Sequence, residues 1–319
     1  MKEKISLASY LFWLENKTTR KIEQLDNINR ENKDVFGEKI ENDFLKILID
    51  FLNNNKEFSD SINKKDLGVE DVSFEERICF GRVYYGTFGK NWKAKHVETK
   101  KTQDMDKYTS PEEPFYYLFL IPKNSNKGVA LFEKKGRLEI KETFQRFLYR
   151  ELVKIELNNL DLKFEEFLPK EVIVEYINKG RIMSLNFLNI PSHNKNQENI
   201  LNHHLDKVKG EISCYFKIEK GYSDYAKKFM EKLVGVGLDD KNTDFLGIKD
   251  MNVNNTIVDV KVGKSRRKFR VDGEATKPFM DITDDIDEDD GGHPKFEDIH
   301  GIAKDYAMEL MRIFKGGYE

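Results

Sequence analysis

The chain contains 319 residues, of which 35% are charged and 39% are hydrophobic. Its 54 basic and 57 acidic residues nearly cancel and leave a formal net charge of −3. This balance excludes a uniformly basic nucleic-acid-binding protein, so contact with a polyanion requires a local basic patch. The two cysteines, Cys79 and Cys214, lie in apolar runs. We expect both to be reduced core residues, because a disulfide scaffold needs a denser set.

The first 75 residues are predicted to form a helical N-terminal region. Apolar residues dominate Ser6–Leu14 and continue at helical spacing as far as Ile28. A stronger pattern over Glu38–Asn53 places apolar residues at i, i+3, i+4 and i+7, which is typical of an amphipathic helix.

Residues 76–192 are predicted to form an α+β domain, because β-branched and aromatic runs alternate there with amphipathic stretches. The expected elements are strands at Arg77–Tyr85, Phe115–Ile121 and Val129–Phe132, helices at Lys141–Leu157 and Glu171–Asn178, and a strand at Arg181–Ile190. The second and third strands are expected to form a hairpin. The polar segment Lys90–Glu113 is expected to be an exposed loop.

Residues 205–319 are predicted to form a second α+β domain, reached through a polar linker at His193–Asn202. Its expected elements are a strand at Gly210–Glu219, a helix at Asp224–Val234, strands at Val253–Val262 and Arg267–Asp272, and a helix at Lys295–Phe314. The predicted fold class is therefore α+β, with mixed or antiparallel sheets, flanking helices and a long C-terminal helix.

Positive charge is concentrated in one short segment: six basic residues and no acidic ones occur between Val260 and Arg270. If the two flanking strands form a hairpin, its turn and second strand can contact a phosphate backbone. An ordinary solvated turn is the alternative. The candidate nucleic-acid-binding residues are Lys261, Lys264, Arg266, Arg267, Lys268 and Arg270, with Arg146 and Arg150 as further candidates.

The same segment supports a second hypothesis, a magnesium-dependent nuclease. On a strand, Asp259 and Lys261 share one face. With the upstream Asp250 they match the arrangement of PD-(D/E)xK nucleases, in which carboxylates hold magnesium and the lysine helps to activate water. A half-buried strand can also carry such a polar pair for structural reasons. Outside this alternative we expect no catalytic residue, metal or cofactor.

An acidic segment follows the basic one, with seven acidic residues among the ten from Asp281 to Asp290. A solvated loop, a divalent-cation site and an intramolecular competitor for the basic hairpin are three open interpretations. The spacing excludes an EF-hand, because alternating oxygen ligands around a central glycine are missing.

The order of elements over residues 110–315 resembles that of RexA-like phage-exclusion proteins, which are anti-phage DNA-binding proteins. The segments that carry the resemblance are Phe115–Ile121, Gly128–Phe132, Leu162–Pro169, Arg181–Leu185, Glu211–Val234 and Tyr306–Met311. The resemblance implies a cytosolic homodimer that binds DNA with little sequence preference and acts with a partner effector. It transfers no catalytic residue.

We therefore expect a non-enzymatic, sequence-nonspecific DNA-binding component of an anti-phage defence system, located in the cytoplasm. A protein–protein adaptor that uses the aromatic-rich strands is a third hypothesis, beside the nuclease. No apolar run approaches the ~18 residues that a transmembrane helix needs, so we expect no direct membrane insertion.

Overall fold

The computed structural model describes residues 3–28, 42–155, 157–191, 211–219, 223–224, 226–228, 230, 243–245, 248–251, 255–262, 265–272, 276–277 and 279–316. The chain divides into two units. Unit 1 comprises Met1–Leu7, Glu166–Ile286 and Arg312–Glu319, and unit 2 comprises Ala8–Glu165 and Asp287–Met311. This division differs from the three consecutive regions expected from the sequence. The linker expected at His193–Asn202 lies outside the described residues.

The strands of the first half are β1 (Ile5–Asn16), β2 (Glu57–Asp60), β3 (Lys65–Glu75), β4 (Ile78–Thr87), β5 (Trp92–Lys95), β6 (Thr102–Met105), β7 (Glu112–Leu120), β8 (Gly128–Lys135) and β9 (Leu138–Glu139). Those of the second half are β10 (Leu160–Glu166), β11 (Arg181–Pro191), β12 (Glu211–Lys217), β13 (Thr243–Phe245), β14 (Ile248–Met251), β15 (Asn255–Val262), β16 (Ser265–Asp272), β17 (Thr276–Lys277) and β18 (Phe279–Asp281). The helices with defined bounds are α1 (Phe44–Asn54), α2 (Lys141–Lys154), α3 (Lys170–Lys179) and α4 (Phe296–Gly316). Residues 223–224, 226–228 and 230 are also helical. These elements confirm the α+β class.

Strand β1 replaces the helix predicted over Ser6–Leu14. It lies between β10 and β8 in the large sheet, and its residues from Ile5 to Tyr10 are buried without interruption. A strand that is covered on both faces is a continuous apolar run without alternation, so its sequence does not distinguish it from a buried helix. The prediction of a helical N-terminal region is therefore wrong for this segment, whereas α1 confirms the amphipathic pattern that precedes Asn53.

Unit 2 is built on a sheet in the order β10-β1-β8-β7-β4-β3-β2. Strands β7 and β8 are antiparallel neighbours, which confirms the hairpin predicted there. One face packs against α2, where the rings of Phe119 and Phe144 lie 5.5 Å apart. The other face packs against α4, where the rings of Phe80 and His300 stack at 3.9 Å. The sheet is thus a middle layer between helices.

The segment predicted as an exposed loop, Lys90–Glu113, contains a two-stranded antiparallel ribbon. Trp92 pairs with Met105 and Lys95 pairs with Thr102, so β5 and β6 form a ladder. Among the described residues these strands pair only with each other. Exposed strands of four residues show no apolar alternation, which explains why the pattern did not indicate them.

Unit 1 contains a five-stranded sheet in the order β12-β11-β15-β16-β17, with antiparallel pairing at every step. The β15–β16 pair confirms the hairpin predicted from the sequence. One face of this sheet packs against α3, since the rings of Tyr176 and Phe269 lie 5.2 Å apart. Gly180 ends α3 close to the sheet, because a Cβ there would lie 2.3 Å from a methyl carbon of Val260.

Two smaller findings bear on the sequence predictions. Cys79 is a free, buried thiol, and burial raises its pKa to about 12. It is therefore a core residue, as expected. Within the ranges that the structure describes, no helix combines the length and the apolar character needed to cross a membrane.

Candidate nucleic-acid interface

The register of the β15–β16 hairpin sorts the predicted basic residues onto two faces of the sheet. Lys261 lies opposite Arg266, and Asp259 lies opposite Lys268. Directly opposed residues of an antiparallel pair occupy the same face, and residues two apart along a strand share a face. Arg270, four residues beyond Arg266, therefore occupies this face as well.

Arg267 occupies the opposite face. Its partner in the ladder is Val260, which is fully buried, and its neighbour two residues along the strand is the buried Phe269. The register thus separates Arg267 from the other basic residues of the hairpin. Lys264 lies outside the described residues.

Two neighbouring strands extend the basic side of the hairpin. Arg181 of β11 lies opposite Lys261, so Arg181, Lys261 and Arg266 form a row across three strands. A second row runs through Lys217 of β12, Ser184, Asp259 and Lys268. The sequence prediction missed Arg181 and Lys217, because strand register over long separations brings them to the hairpin.

A third row completes this surface at the other end of the hairpin. It runs through Tyr215, Asn186, Ile257, Arg270 and Lys277. We call the positions Arg181, Lys217, Lys261, Arg266, Lys268, Arg270 and Lys277 the basic face. Register also places Asp259 and Asp272 on this side of the sheet.

The side chains described on the basic face are accessible at several points. Lys217 and Lys261 are exposed, and Tyr215 retains 63% of its accessible surface. On the other side of the same sheet Ile182, Leu185, Val258 and Val260 are fully buried. The sheet therefore has one apolar face and one polar face. The polar face is exposed at Lys217, Lys261 and Tyr215 and buried at Ser184 and Asp259.

Asp259 and its cross-strand neighbour Ser184 are buried on this side of the sheet, with 2% and 5% of their surface exposed. The hydroxyl of Ser184 donates a hydrogen bond to the Asp259 carboxylate at 3.4 Å. The register also places Asp259 opposite Lys268 on the next strand. Asp259 therefore lies among hydrogen-bonding and basic neighbours, as a buried carboxylate requires.

Lys268 connects the basic face with the acidic segment. Its ammonium nitrogen lies 3.7 Å from a carboxylate oxygen of Asp281 and 3.9 Å from one of Asp284. Asp289, by contrast, accepts hydrogen bonds from the backbone N–H groups of Gly291 and His293. Those bonds lower its pKa, chiefly the one from His293. The two contacts with Lys268 therefore place Asp281 and Asp284, both members of the acidic segment, beside the basic face.

Arg146 and Arg150, the two further candidates, lie on α2 in unit 2. The guanidinium of Arg146 forms an ion pair of 3.0 Å with Asp60. The guanidinium of Arg150 lies 4.6 Å from the ring centre of Phe58. Both side chains thus contribute to contacts within unit 2.

The residues of the nuclease hypothesis do not share one sheet. Asp259 and Lys261 lie on β15, whereas Asp250 lies on β14, which pairs with β13 in a separate two-stranded sheet. Among the described residues, no group of three or more histidine, cysteine or carboxylate side chains has the arrangement of a metal site.

Comparisons with protein-family models, with curated proteins and with solved structures gave no match for this chain.

Proposed function

We propose that this protein binds DNA through the basic face, with little dependence on sequence, and that it does not cleave the DNA. The observation that supports the proposal most directly is the row Arg181–Lys261–Arg266, three basic positions on adjacent strands. Adjacent strands lie about 5 Å apart, so such a row brings three basic positions close together.

Phosphate contacts supply the affinity in this proposal. A lysine or arginine that neutralises a phosphate releases condensed counterions, and this release makes binding sensitive to salt. About five such contacts give a slope of roughly −4 to −5 in a plot of log K against log salt. The exposed ring of Tyr215 lies on the same side of the sheet and can contact a sugar or a base. Contacts with the backbone carry no sequence information, which accounts for the proposed lack of preference.

The biological setting of the proposal comes from the resemblance to RexA-like phage-exclusion proteins. We propose an anti-phage defence role in which a homodimer of this protein senses DNA and signals to a partner effector. Light scattering during size-exclusion chromatography tests the homodimer separately from DNA binding. A monomeric mass over a range of concentrations would contradict it.

The binding experiment compares two sets of substitutions in the same hairpin. The face variant combines Lys261→Gln, Arg266→Gln and Arg270→Gln, and the control carries Arg267→Gln on the opposite face. Anisotropy of a fluorescent DNA duplex measures the affinity of each protein, and circular dichroism confirms that each is folded. We expect the face variant to weaken binding far more than the control. Equal effects would contradict the assignment of the basic face.

The same samples separate DNA binding from the two alternatives. Supercoiled plasmid is incubated with magnesium and each protein, with Asp259→Asn as an additional variant. Cleavage that Asp259→Asn abolishes would replace the proposal with the nuclease. Absence of any salt-sensitive DNA binding would favour the protein–protein adaptor.

A further inference from the structure

The β5–β6 ribbon of unit 2 carries a further group of basic residues. Its strands pair from Trp92 opposite Met105 to Lys95 opposite Thr102, and a turn of six residues joins them. Each strand of four residues spans about 13 Å. At the base, Gly89 N–H donates to the carbonyl of Lys107 at 2.7 Å, and the Trp92 indole donates to the carbonyl of Thr109 at 3.4 Å.

The ribbon carries an excess of positive charge. Residues 90–107 contain six lysines and three carboxylates. One lysine, Lys93, forms an ion pair of 3.2 Å with Asp104 across the strands. Lys95, Lys100 and Lys101 lie at the far end and are exposed. Among the described residues, no carboxylate forms an ion pair with these three lysines. Their charges are therefore available to an external anion.

Hydrogen bonds fix the turn that presents these lysines. The N–H of His96 donates to the carbonyl of Lys101, and the N–H of Lys100 donates to the carbonyl of His96, both at 2.9 Å. The His96 ring nitrogen Nδ1 accepts from Thr99 N–H at 3.2 Å. Lys100 itself adopts a left-handed φ of 58°, which is uncommon for a residue other than glycine. A turn held in this way loses little conformational freedom on binding.

The shape of the ribbon favours one class of polyanion. The major groove of B-DNA is about 12 Å wide and admits a two-stranded β-ribbon. Val97 is 77% exposed in the turn and lies between Lys95 and Lys100 in sequence, where the exposed Glu98 follows it. An exposed apolar side chain between basic ones suits a groove, whose walls carry phosphates and whose floor carries base edges.

We propose that the β5–β6 ribbon enters a groove of duplex DNA, where Lys95, Lys100 and Lys101 contact phosphates. This inference rests on the proposed function, because it assigns a second contact element to the same DNA-binding activity. It predicts that the ribbon adds to the salt dependence of duplex binding independently of the basic face.

The experiment uses the full chain and three variants. The first combines Lys95→Gln, Lys100→Gln and Lys101→Gln, and the second changes the same lysines to arginine. The third is a matched charge control on exposed lysines elsewhere in unit 2, with Lys21→Gln, Lys123→Gln and Lys154→Gln. Anisotropy of fluorescent duplex and single-stranded DNA is measured over a range of salt concentrations.

We expect the glutamine variant of the ribbon to lower the magnitude of the duplex slope by about 2 to 3, since each lost phosphate contact removes about 0.9. The arginine variant and the charge control should keep the parent slope. An unchanged slope in the glutamine variant, or an equal loss on single-stranded DNA, would overturn the groove assignment. If the ribbon variant matches the parent while the face variant weakens binding, only this inference fails. If the parent binds no duplex, the proposed function fails with it.

Discussion

The ammonium group of Lys268 lies 3.7 Å from a carboxylate oxygen of Asp281, a residue that is only 8% exposed. Asp281 also lies 3.7 Å from the ammonium of Lys4 and accepts a hydrogen bond from the hydroxyl of Thr283. The acidic segment therefore neutralises one member of the basic face. It leaves Lys217 and Lys261 exposed, so the protein's own carboxylates do not cover all the described lysines of this surface.

We expect Asp284→Asn to tighten DNA binding. Its carboxylate lies 3.9 Å from Lys268, and its side chain is 54% exposed, so it competes with a phosphate at small structural cost. Exposed ion pairs contribute about 0.2–1 kcal/mol, which predicts a gain in affinity of up to about fivefold. Asp287→Asn is the matched control, because Asp287 pairs with Lys295. Unchanged or weaker binding by Asp284→Asn would show that this carboxylate does not compete.

We expect Gly81→Ala to destabilise the protein and Gly301→Ala to stabilise it. A Cβ at Gly81 would lie 2.2 Å from the carbonyl oxygen of Asp71 and 2.8 Å from the Tyr117 hydroxyl, so strands β3 and β4 would have to separate. Overpacking of this kind costs about 1–3 kcal/mol. A Cβ at Gly301, in α4, meets no atom within 4 Å, and alanine there gains about 0.5–1 kcal/mol. Urea denaturation of both variants measures these changes, and equal effects would contradict the packing described for β4.

We expect Asp43→Ala to lower the free energy of unfolding by about 2–4 kcal/mol, which combines the loss of a helix cap with the loss of a largely buried ion pair. The Asp43 carboxylate accepts from Leu45 N–H at the start of α1 and contacts the guanidinium of Arg77 at 2.5 and 3.0 Å. Asp43→Asn retains the helix cap, so its free energy of unfolding should fall by less than that of Asp43→Ala. Chemical denaturation measures both free energies of unfolding. Equal values for the two variants would show that the helix cap does not contribute to stability.

We expect part of the protein's stability to be lost in mild acid through His300. Burial is the largest cause that lowers the pKa of His300. The nearby Lys304 ammonium lowers this pKa further, and the Glu75 carboxylate raises it. Tyr116 Oη lies 2.8 Å from Nδ1 of the imidazole, and burial raises the pKa of this phenol, so the phenol stays protonated in this hydrogen bond.

The sign of the effect follows from the lowered pKa. In the unfolded chain His300 binds a proton near pH 6.5, whereas in the folded chain it binds the proton at lower pH. The stability that the neutral imidazole contributes is therefore fully present above pH 6.5 and declines as the pH falls below this value. His300→Phe keeps a ring between Phe80 and Phe296 and should flatten the pH dependence of unfolding over this interval. An identical pH dependence in parent and variant would contradict the assignment.

Sequence patterns predicted most elements whose residues alternate between one buried and one exposed side. Amphipathic helices such as α1 and α2 and the β15–β16 hairpin were found because their periodicity is local. Strand β1 was predicted as a helix because burial on both faces removes the alternation. The β5–β6 ribbon was predicted as a loop because its short strands are largely exposed.

The candidate interface was predictable only where its residues are neighbours in sequence. The cluster from Lys261 to Arg270 is visible as a charge pattern, but its division into two faces depends on the register that places Arg267 opposite Val260. Arg181 and Lys217 join the face through pairing with distant strands. No local pattern indicates such pairs, because their side chains meet only in the folded sheet.

The salt dependence of duplex DNA binding tests the central proposal most directly. We predict that the slope falls in magnitude by about 3 relative to the parent protein when Lys261, Arg266 and Arg270 are changed to glutamine, since each lost phosphate contact removes about 0.9. Arg267→Gln should leave the slope at its parent value. A parent protein that binds no duplex, or a face variant whose slope equals that of the parent, would contradict the account.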